Sequence, residues 1–375
     1  MKVLLKTSSL LLALILACAC FAGCHVKNET AITIGEIKIK SSTYSCALTQ
    51  AYQEGISKVE EEESAKESSE HNHNDGYMKE KIGKKSFGDW VKNRADEICK
   101  EYAAVYTLAK TNKISLSDDE LSQISQTAEY YWTNYGLEEL YGSLGVSKDT
   151  YEGFMGYTSL KEKVFTTLYG ENGSKAVDKA EVTSTLYSQH NTAEILKKTF
   201  SDGESADDVK AQYQGYVDRL NAGESFKSIY CEVNNTTEEE LDEQMASYAA
   251  SDSEQPANSL EQVVGSVGTD YENDLFDTVK NLEVGQATLY SDDSYCAVIV
   301  KTDITKDDYY KDNLYNSALR YLKGDEYDKL IEDTYKALDF KESKYATRRF
   351  KVKDVNEQYM KIQEENSSQQ SSTNQ

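Results

Sequence analysis

One proline, Pro256, occurs in 375 residues, and histidine appears only as His25, His71, His73 and His190. So little proline leaves long helices uninterrupted. Lys and Arg number 41 against 65 Asp and Glu, a formal net charge of −24. That deficit of cations excludes a nucleic-acid binder, whose affinity rests on Lys and Arg neutralising phosphate. It also sets the chain against anionic membrane surfaces, so attachment to one needs a covalent anchor. Neither a Gly-x-x-x-x-Gly-Lys loop nor a dinucleotide glycine fingerprint is present, which removes nucleotide as a partner and leaves no cofactor implied. The longest apolar run, residues 8–22, falls short of the roughly 20 residues of a membrane-spanning helix.

That run follows Lys2 and Lys6 and leads into "CACFAGC", which holds Cys18, Cys20 and Cys24. A positive start, a short apolar stretch and small residues before a cysteine read as a secretory leader, residues 1–23. The segment "FAGC" matches the cut site of bacterial lipoprotein signals, making Cys24 the lipidated N-terminus of an extracytoplasmic, membrane-anchored chain. Cys18 is the alternative acceptor, and an ordinary cleaved signal is the alternative leader. A metal or redox site lacks both the Cys-x-x-Cys spacing and a His or carboxylate inside the run.

Beyond the leader, Cys46, Cys99, Cys231 and Cys296 are sparse, two in each half. They read as small buried hydrophobes, with one disulfide per half as the other possibility. Tyrosine outnumbers phenylalanine 28 to nine. It reads first as the core aromatic of the helices; a tyrosine-rich groove that holds peptides loosely is the functional reading.

Ile32, Ile34, Ile37 and Ile39 alternate around Gly35 as a short hairpin, followed by a helix with Tyr44, Leu48, Tyr52, Ile56 and Val59 on one face. Residues 60–85 are charged and almost without apolar side chains, and are expected to form a flexible acidic insert or an exposed helix extension. His71-x-His73 beside Asp75 lacks further ligands, so no metal site is assigned. Helical spacing returns at Phe87, Val91, Ile98, Tyr102, Val105 and Leu108. Ser117 and Glu120 form a capping box for a helix with Leu121, Ile124, Ala128, Tyr131 and Tyr135 as its expected buried stripe. Tyr151, Phe154, Met155, Leu160, Val164 and Leu168 mark the next.

The pattern then changes. Residues 182–188 end a helix, "TAEILKKTF" reads as a strand, and Val209, Tyr213, Val217 and Leu220 line a helix stopped by Gly223. "LFDTVKNLEVGQ" and "SYCAVIVK" add a short helix, a glycine turn and a strand, giving a small strand-helix-helix-strand module. After Lys306 long helices return, with Tyr309, Leu314, Ala318, Tyr321 and Leu322, then Tyr327, Leu330, Ile331, Tyr335 and Leu338. Residues 363–375 read as a disordered tail. The fold class expected is α+β, mostly helical.

The order of leader, helical region, small α+β insert and returning helices resembles the PrsA/SurA-like extracytoplasmic foldases, whose insert is a parvulin-type (PpiC-like) peptidyl-prolyl isomerase domain. "AEIL" at 193–196, "LNAGESF" at 220–226 and "LFDTVKNLEVGQ" at 275–286 carry the resemblance. It implies a helical chaperone-like domain built from residues 24–189 and 305–362, the C-terminal helices packing on the N-terminal region, with a parvulin-like domain at 190–304. It also implies a proline-isomerase pocket around two histidines, one on the first strand and one on the last. Here Glu194 stands at the first place, and the last strand carries Cys296 and no histidine. The family's Gly-Gly-x-Leu-Gly segment is replaced by a polar run. Phe226 and Leu275 take the places of peptide-facing residues.

Three functions follow. The first is a lipid-anchored, energy-independent foldase or holdase for unfolded secreted polypeptides, with a degenerate isomerase domain. The second is an active isomerase through a rearranged Glu194/Cys296 site. The third is a non-catalytic surface lipoprotein.

Overall fold

The computed structural model describes residues 29–64, 76–201, 203–249, 260–266, 274–348 and 350–373. The leader with Cys18, Cys20 and Cys24, together with His25, His71, His73 and Pro256, lies outside them. The architecture is α+β and mostly helical. Two units divide the chain: Met1–Leu168 with Asp325–Gln375, and Tyr169–Gly324.

The first unit opens with β1 (Thr30–Ile34) and β2 (Ile37–Lys40), an antiparallel hairpin turned by Gly35 at φ +56°. Its third strand comes from far along the sequence: β9 (Phe340–Glu342) pairs antiparallel with β1, giving the order β2-β1-β9. Helix α1 (Ser41–Ser64) packs on α2 (Phe87–Asn112), with the small hairpin β3 (Lys81–Ile82) and β4 (Lys85–Ser86) between them in sequence. Ser86 caps α2 by accepting from the Asp89 amide, satisfying a donor the helix cannot pair internally.

After α2 come α3 (Asp118–Asn134), α4 (Leu137–Ser143) and α5 (Lys148–Tyr169). The Ser117/Glu120 capping box is present, with the Glu120 carboxylate also accepting the Ser117 amide at 2.6 Å.

The C-terminal segment completes this unit's core. Helix α13 (Val352–Thr373), preceded by the short α12 (Lys344–Thr347), lies against α1, α2 and α4. The Asn356 side-chain oxygen accepts from the Tyr52 hydroxyl at 2.9 Å and from the Tyr77 amide at 3.2 Å. Gly76, at φ +76°, leaves room for that amide side chain: a Cβ there would sit 2.4 Å from its oxygen. Tyr44 meets Phe350, and Tyr52 meets Tyr359, at ring-centroid distances of 6.4 and 5.5 Å. Late residues also return to the middle of the unit, where the Tyr327 hydroxyl donates to the Lys161 carbonyl at 2.7 Å and its ring packs on Phe165.

The second unit holds a four-stranded antiparallel sheet in the order β6-β5-β8-β7: β5 (His190–Thr199), β6 (Glu261–Gly265), β7 (Ala287–Ser291) and β8 (Tyr295–Lys301). Alternation along β5 and β8 sends Leu196, Cys296 and Val298 to one face, and Ala193, Ile195, Ala297 and Ile299 to the other. Helices α7 (Ala206–Asn221), α8 (Phe226–Asn234) and α9 (Glu238–Ala249) contribute to the first face's core, and α10 (Asp274–Lys280) to the second. Helix α6 (Lys179–Gln189) leads into β5, and the unit boundary falls within α11 (Asp308–Lys336).

Several expectations change. In the charged stretch 60–85, α1 runs to Ser64, which is the helix extension rather than the flexible insert, and beyond the undescribed residues 65–75 the chain packs around buried Tyr77 and Ile82. The tail expected to be disordered is helical to Thr373. Strands β6 and β7 were missed; each is five residues long, and β6 follows a polar run that masks its two valines. Tyr321, expected on a buried stripe, is exposed. The four cysteines at 46, 99, 231 and 296 are buried free thiols, two in each unit's cores.

Candidate functional site

The positions matched to the isomerase pocket lie in the second unit, and the structure does not assemble them. Glu194 pairs with Val300 across β5 and β8, whereas Cys296 pairs with Lys198. The two share a face, but four residues separate them along the strand, about 13 Å at about 3.3 Å per residue. Leu196 and Val298 fill the interval between them with apolar surface. The Cys296 side chain is fully buried, and that burial raises its thiol above the ordinary value, the opposite of what activates a nucleophile. Glu194 is half-buried and faces Glu261 of β6 in register.

Phe226 and Leu275 are likewise core residues. Phe226 opens α8 and packs on one face of the sheet, whereas Leu275 belongs to α10 and packs on the other. A full sheet thickness divides them, so they form no common peptide pocket.

His190 is a correction of another kind. The sequence placed no histidine in the strands of the insert, but β5 begins two residues earlier than the "TAEIL" run suggests and His190 is its first residue. Its ring is buried, Nδ1 lies 3.2 Å from the Leu186 carbonyl, and burial lowers its pKa below the ordinary 6.5. A neutral ring tied to the end of α6 is a structural junction.

The first unit presents a different surface. Between α2, α3 and α5 lies a cleft of about 320 Å³, lined by Tyr102, Tyr106, Leu116, Leu121, Ile124 and Phe154, with Lys40, Asp149 and Glu152 also in its wall. The aromatic wall is built by helical spacing: Tyr102 and Tyr106 are one turn apart, with centroids 4.5 Å apart, and Phe154 stacks on Tyr102 at 6.4 Å. Gly153 and Gly156 keep the α5 side open, since a Cβ on Gly153 would meet nothing within 4 Å and one on Gly156 only Leu116 at 3.9 Å. Burial raises the Tyr102 hydroxyl well above its ordinary value, so it stays neutral and the wall uncharged.

Further along α3 and at its C-terminal cap lies an aromatic patch. Leu121, Ile124, Ala128, Tyr131 and Tyr135 recur at helical spacing and share a face. Tyr131 lies two turns past Ile124, about 10 Å along the axis. The expectation that Tyr131 and Tyr135 are buried is overturned: Tyr130, Tyr131 and Tyr135 are 55%, 39% and 56% exposed. The three rings lie 5.2–5.8 Å apart and hold one another in place, with Trp132 behind them stacked on Tyr141 at 6.1 Å. Exposed tyrosines next to an apolar cleft offer varied polypeptides a large contact area, with hydroxyls that remain hydrated.

Among the described residues no group of three His, Cys, Asp or Glu side chains is placed to hold a metal ion, and no helix is long and apolar enough to cross a membrane.

No protein-family model and no curated protein matches the chain. The fold is similar to that of solved PrsA foldases. The PrsA structure from Streptococcus pneumoniae is 13% identical with a TM-score of 0.40, covering 68% of this chain and 88% of its own. That from Lactococcus lactis is 12% identical with a TM-score of 0.40, covering 89% and 99%. PrsA from Bacillus subtilis is 17% identical with a TM-score of 0.30, covering 70% and 94%.

Proposed function

We propose that this chain is an extracytoplasmic holdase or foldase, lipid-anchored through Cys24, that binds unfolded secreted polypeptides through its first unit without an energy source and without efficient proline isomerisation. The observation that carries the reading is the group of exposed tyrosines Tyr130, Tyr131 and Tyr135 at the C-terminal end of α3, whose earlier turns line an apolar cleft, on a chain of net charge −24. A large exposed aromatic patch lowers solubility unless it is used, and the acidic remainder keeps such a surface from self-association. The cleft suits a few apolar side chains of a passing segment. Contacts of this kind are weak singly and sum along an extended client.

Isomerisation has to lower a barrier of about 18–20 kcal/mol about the X-Pro bond. What supports this part of the reading is that, among the described residues of the sheet unit, Glu194 and Cys296 are far apart and Cys296, Phe226 and Leu275 are buried as core. The test is paired. The chain from residue 24 on, without lipid, suppresses aggregation of a chemically unfolded client in the absence of nucleotide, and does not accelerate a protease-coupled proline isomerisation assay. Acceleration that is lost in Glu194→Ala would establish the isomerase reading instead; absence of both activities would leave a non-catalytic surface lipoprotein. Metabolic lipid labelling of the full chain, abolished in Cys24→Ser, tests the anchor.

A further inference from the structure

The chain is strongly acidic, yet residues 341–353, "KESKYATRRFKVK", hold six cations, Lys341, Lys344, Arg348, Arg349, Lys351 and Lys353, against the single carboxylate Glu342. Lys341, Lys344, Arg348, Lys351 and Lys353 are exposed. Lys353 pairs with Glu357 at 3.1 Å, while Lys341, Lys344, Arg348 and Lys351 form no ion pair among the described residues. Tyr345, in the middle of the stretch, is 65% exposed. Unpaired cations around an exposed tyrosine, in a protein with carboxylates to spare, point outward to an anionic partner.

The position of the stretch identifies that partner. Strand β9 pairs with β1, and where β9 ends the Ser343 amide donates to the Ala31 carbonyl at 2.8 Å. The basic stretch therefore leaves the sheet at the end where β1 enters it. Glu29 is already held there, its carbonyl accepting from the Ser41 amide at 2.8 Å. From Cys24 to Glu29 is five peptide steps, a reach of at most about 18 Å. A lipid on Cys24 keeps this end of the first unit close to the bilayer. In the same three-stranded sheet Lys38 and Lys341 flank Thr33 in register, adding Lys38 to the basic ground.

We infer that Lys341, Lys344, Arg348 and Lys351, with Tyr345, form a docking face for an anionic bilayer, a second membrane signal beside the lipid on Cys24. The inference rests on the anchor reading for the location of that face. Charges more than about 8 Å apart across water are largely screened at physiological ionic strength. The local positive face therefore outweighs the distant negative body when this end meets the surface. Polybasic segments beside an anchor contribute about 1 kcal/mol per cation at an anionic surface, and a tyrosine ring suits the headgroup level. A chain docked in this way is held in one orientation, with its acidic remainder repelled toward the aqueous side.

The test uses the unlipidated chain from residue 24 on, so it does not depend on whether Cys24 is modified. It is sedimented with phosphatidylcholine vesicles with and without phosphatidylglycerol. Binding is expected only with phosphatidylglycerol and is abolished by high salt. The variant Lys344→Gln/Arg348→Gln/Lys351→Gln, whose side chains form no ion pair among the described residues, is expected to keep its melting temperature and to bind roughly a hundredfold more weakly, from about 1 kcal/mol per cation. Equal sedimentation with both vesicle types, or unchanged binding by the triple variant, overturns the inference. So does binding to a soluble glycerol-phosphate polymer in preference to vesicles, which would make a wall polymer the partner. Failed lipid labelling with intact vesicle binding would sink the anchor alone; the reverse result would sink the docking face alone.

Discussion

The two units differ at the positions a binding site would use. In the sheet unit Phe226 on one face and Leu275 on the other are core, and Cys296 at the place expected for a catalytic histidine is fully buried, although Val284 and Tyr321 elsewhere in that unit are exposed. The first unit buries Tyr44, Tyr52 and Phe87 in the core shared by its N- and C-terminal segments, yet leaves Tyr130, Tyr131 and Tyr135 in water beside an open cleft. A site needs surface that the fold has not already used, and among the described residues the exposed group Tyr130, Tyr131 and Tyr135 is such surface.

The strongest way to break this comparison is to damage the sheet unit. Ile299→Ala removes a fully buried side chain from the middle of β8, and denaturant titration is expected to show a loss of about 2–5 kcal/mol. Client holding, measured as aggregation suppression well below the unfolding midpoint, is expected to persist. Its disappearance in a folded variant would move binding to the sheet unit.

The converse experiment removes the exposed rings. Tyr130→Ser/Tyr131→Ser/Tyr135→Ser is expected to raise the concentration needed for half-suppression of aggregation by about tenfold or more, equivalent to about 1.4 kcal/mol. Thermal unfolding should change little, because these rings are exposed.

A pH series separates the units further. Burial lowers the pKa of His190 in the folded state, so the unfolded chain takes up its proton first as pH falls below about 6.5. The stability contribution is complete above that pH and is lost below it, with a slope of at most about 1.4 kcal/mol per pH unit. In His190→Gln the drop between about pH 7 and about pH 5.5 should shrink; an unchanged drop would assign it to other groups.

The smallest effect expected is at the seam between the two segments of the first unit. Tyr52→Phe removes one hydrogen bond to Asn356, whose oxygen keeps the Tyr77 amide, and should cost about 1 kcal/mol in chemical denaturation.

Much of the helical framework was legible because its signals are local. The Ser117/Glu120 capping box, the stripe through Phe87, Val91 and Ile98, and the Gly35 turn depend on neighbours a few residues away, and the structure has each. The sheet unit was harder to read. Ala193, Ile195 and Leu196 signal a strand, but the five-residue β6 and β7 carry too few apolar residues to show alternation, and their pairing with β5 and β8 comes from distant sequence.

Tyr131 and Tyr135 show the limit most clearly. Spacing placed them correctly on the face of Ile124 and Ala128, but spacing cannot tell how far along that face the covering layer extends. The order near Tyr77 was hidden for the same reason, since its partner Asn356 lies 279 residues away. The basic stretch at 341–353 was visible as composition; its meaning required β9 to pair with β1.

The central claim is that an unfolded polypeptide meets this protein on the first unit. Photo-crosslinking of a proline-containing unfolded client to the chain, followed by mapping of the joined peptides by mass spectrometry, tests it directly. Crosslinks are expected in residues 102–156, around the cleft and the tyrosines of α3. Crosslinks confined to residues 190–301 would contradict the account and return the sheet unit to the centre of function.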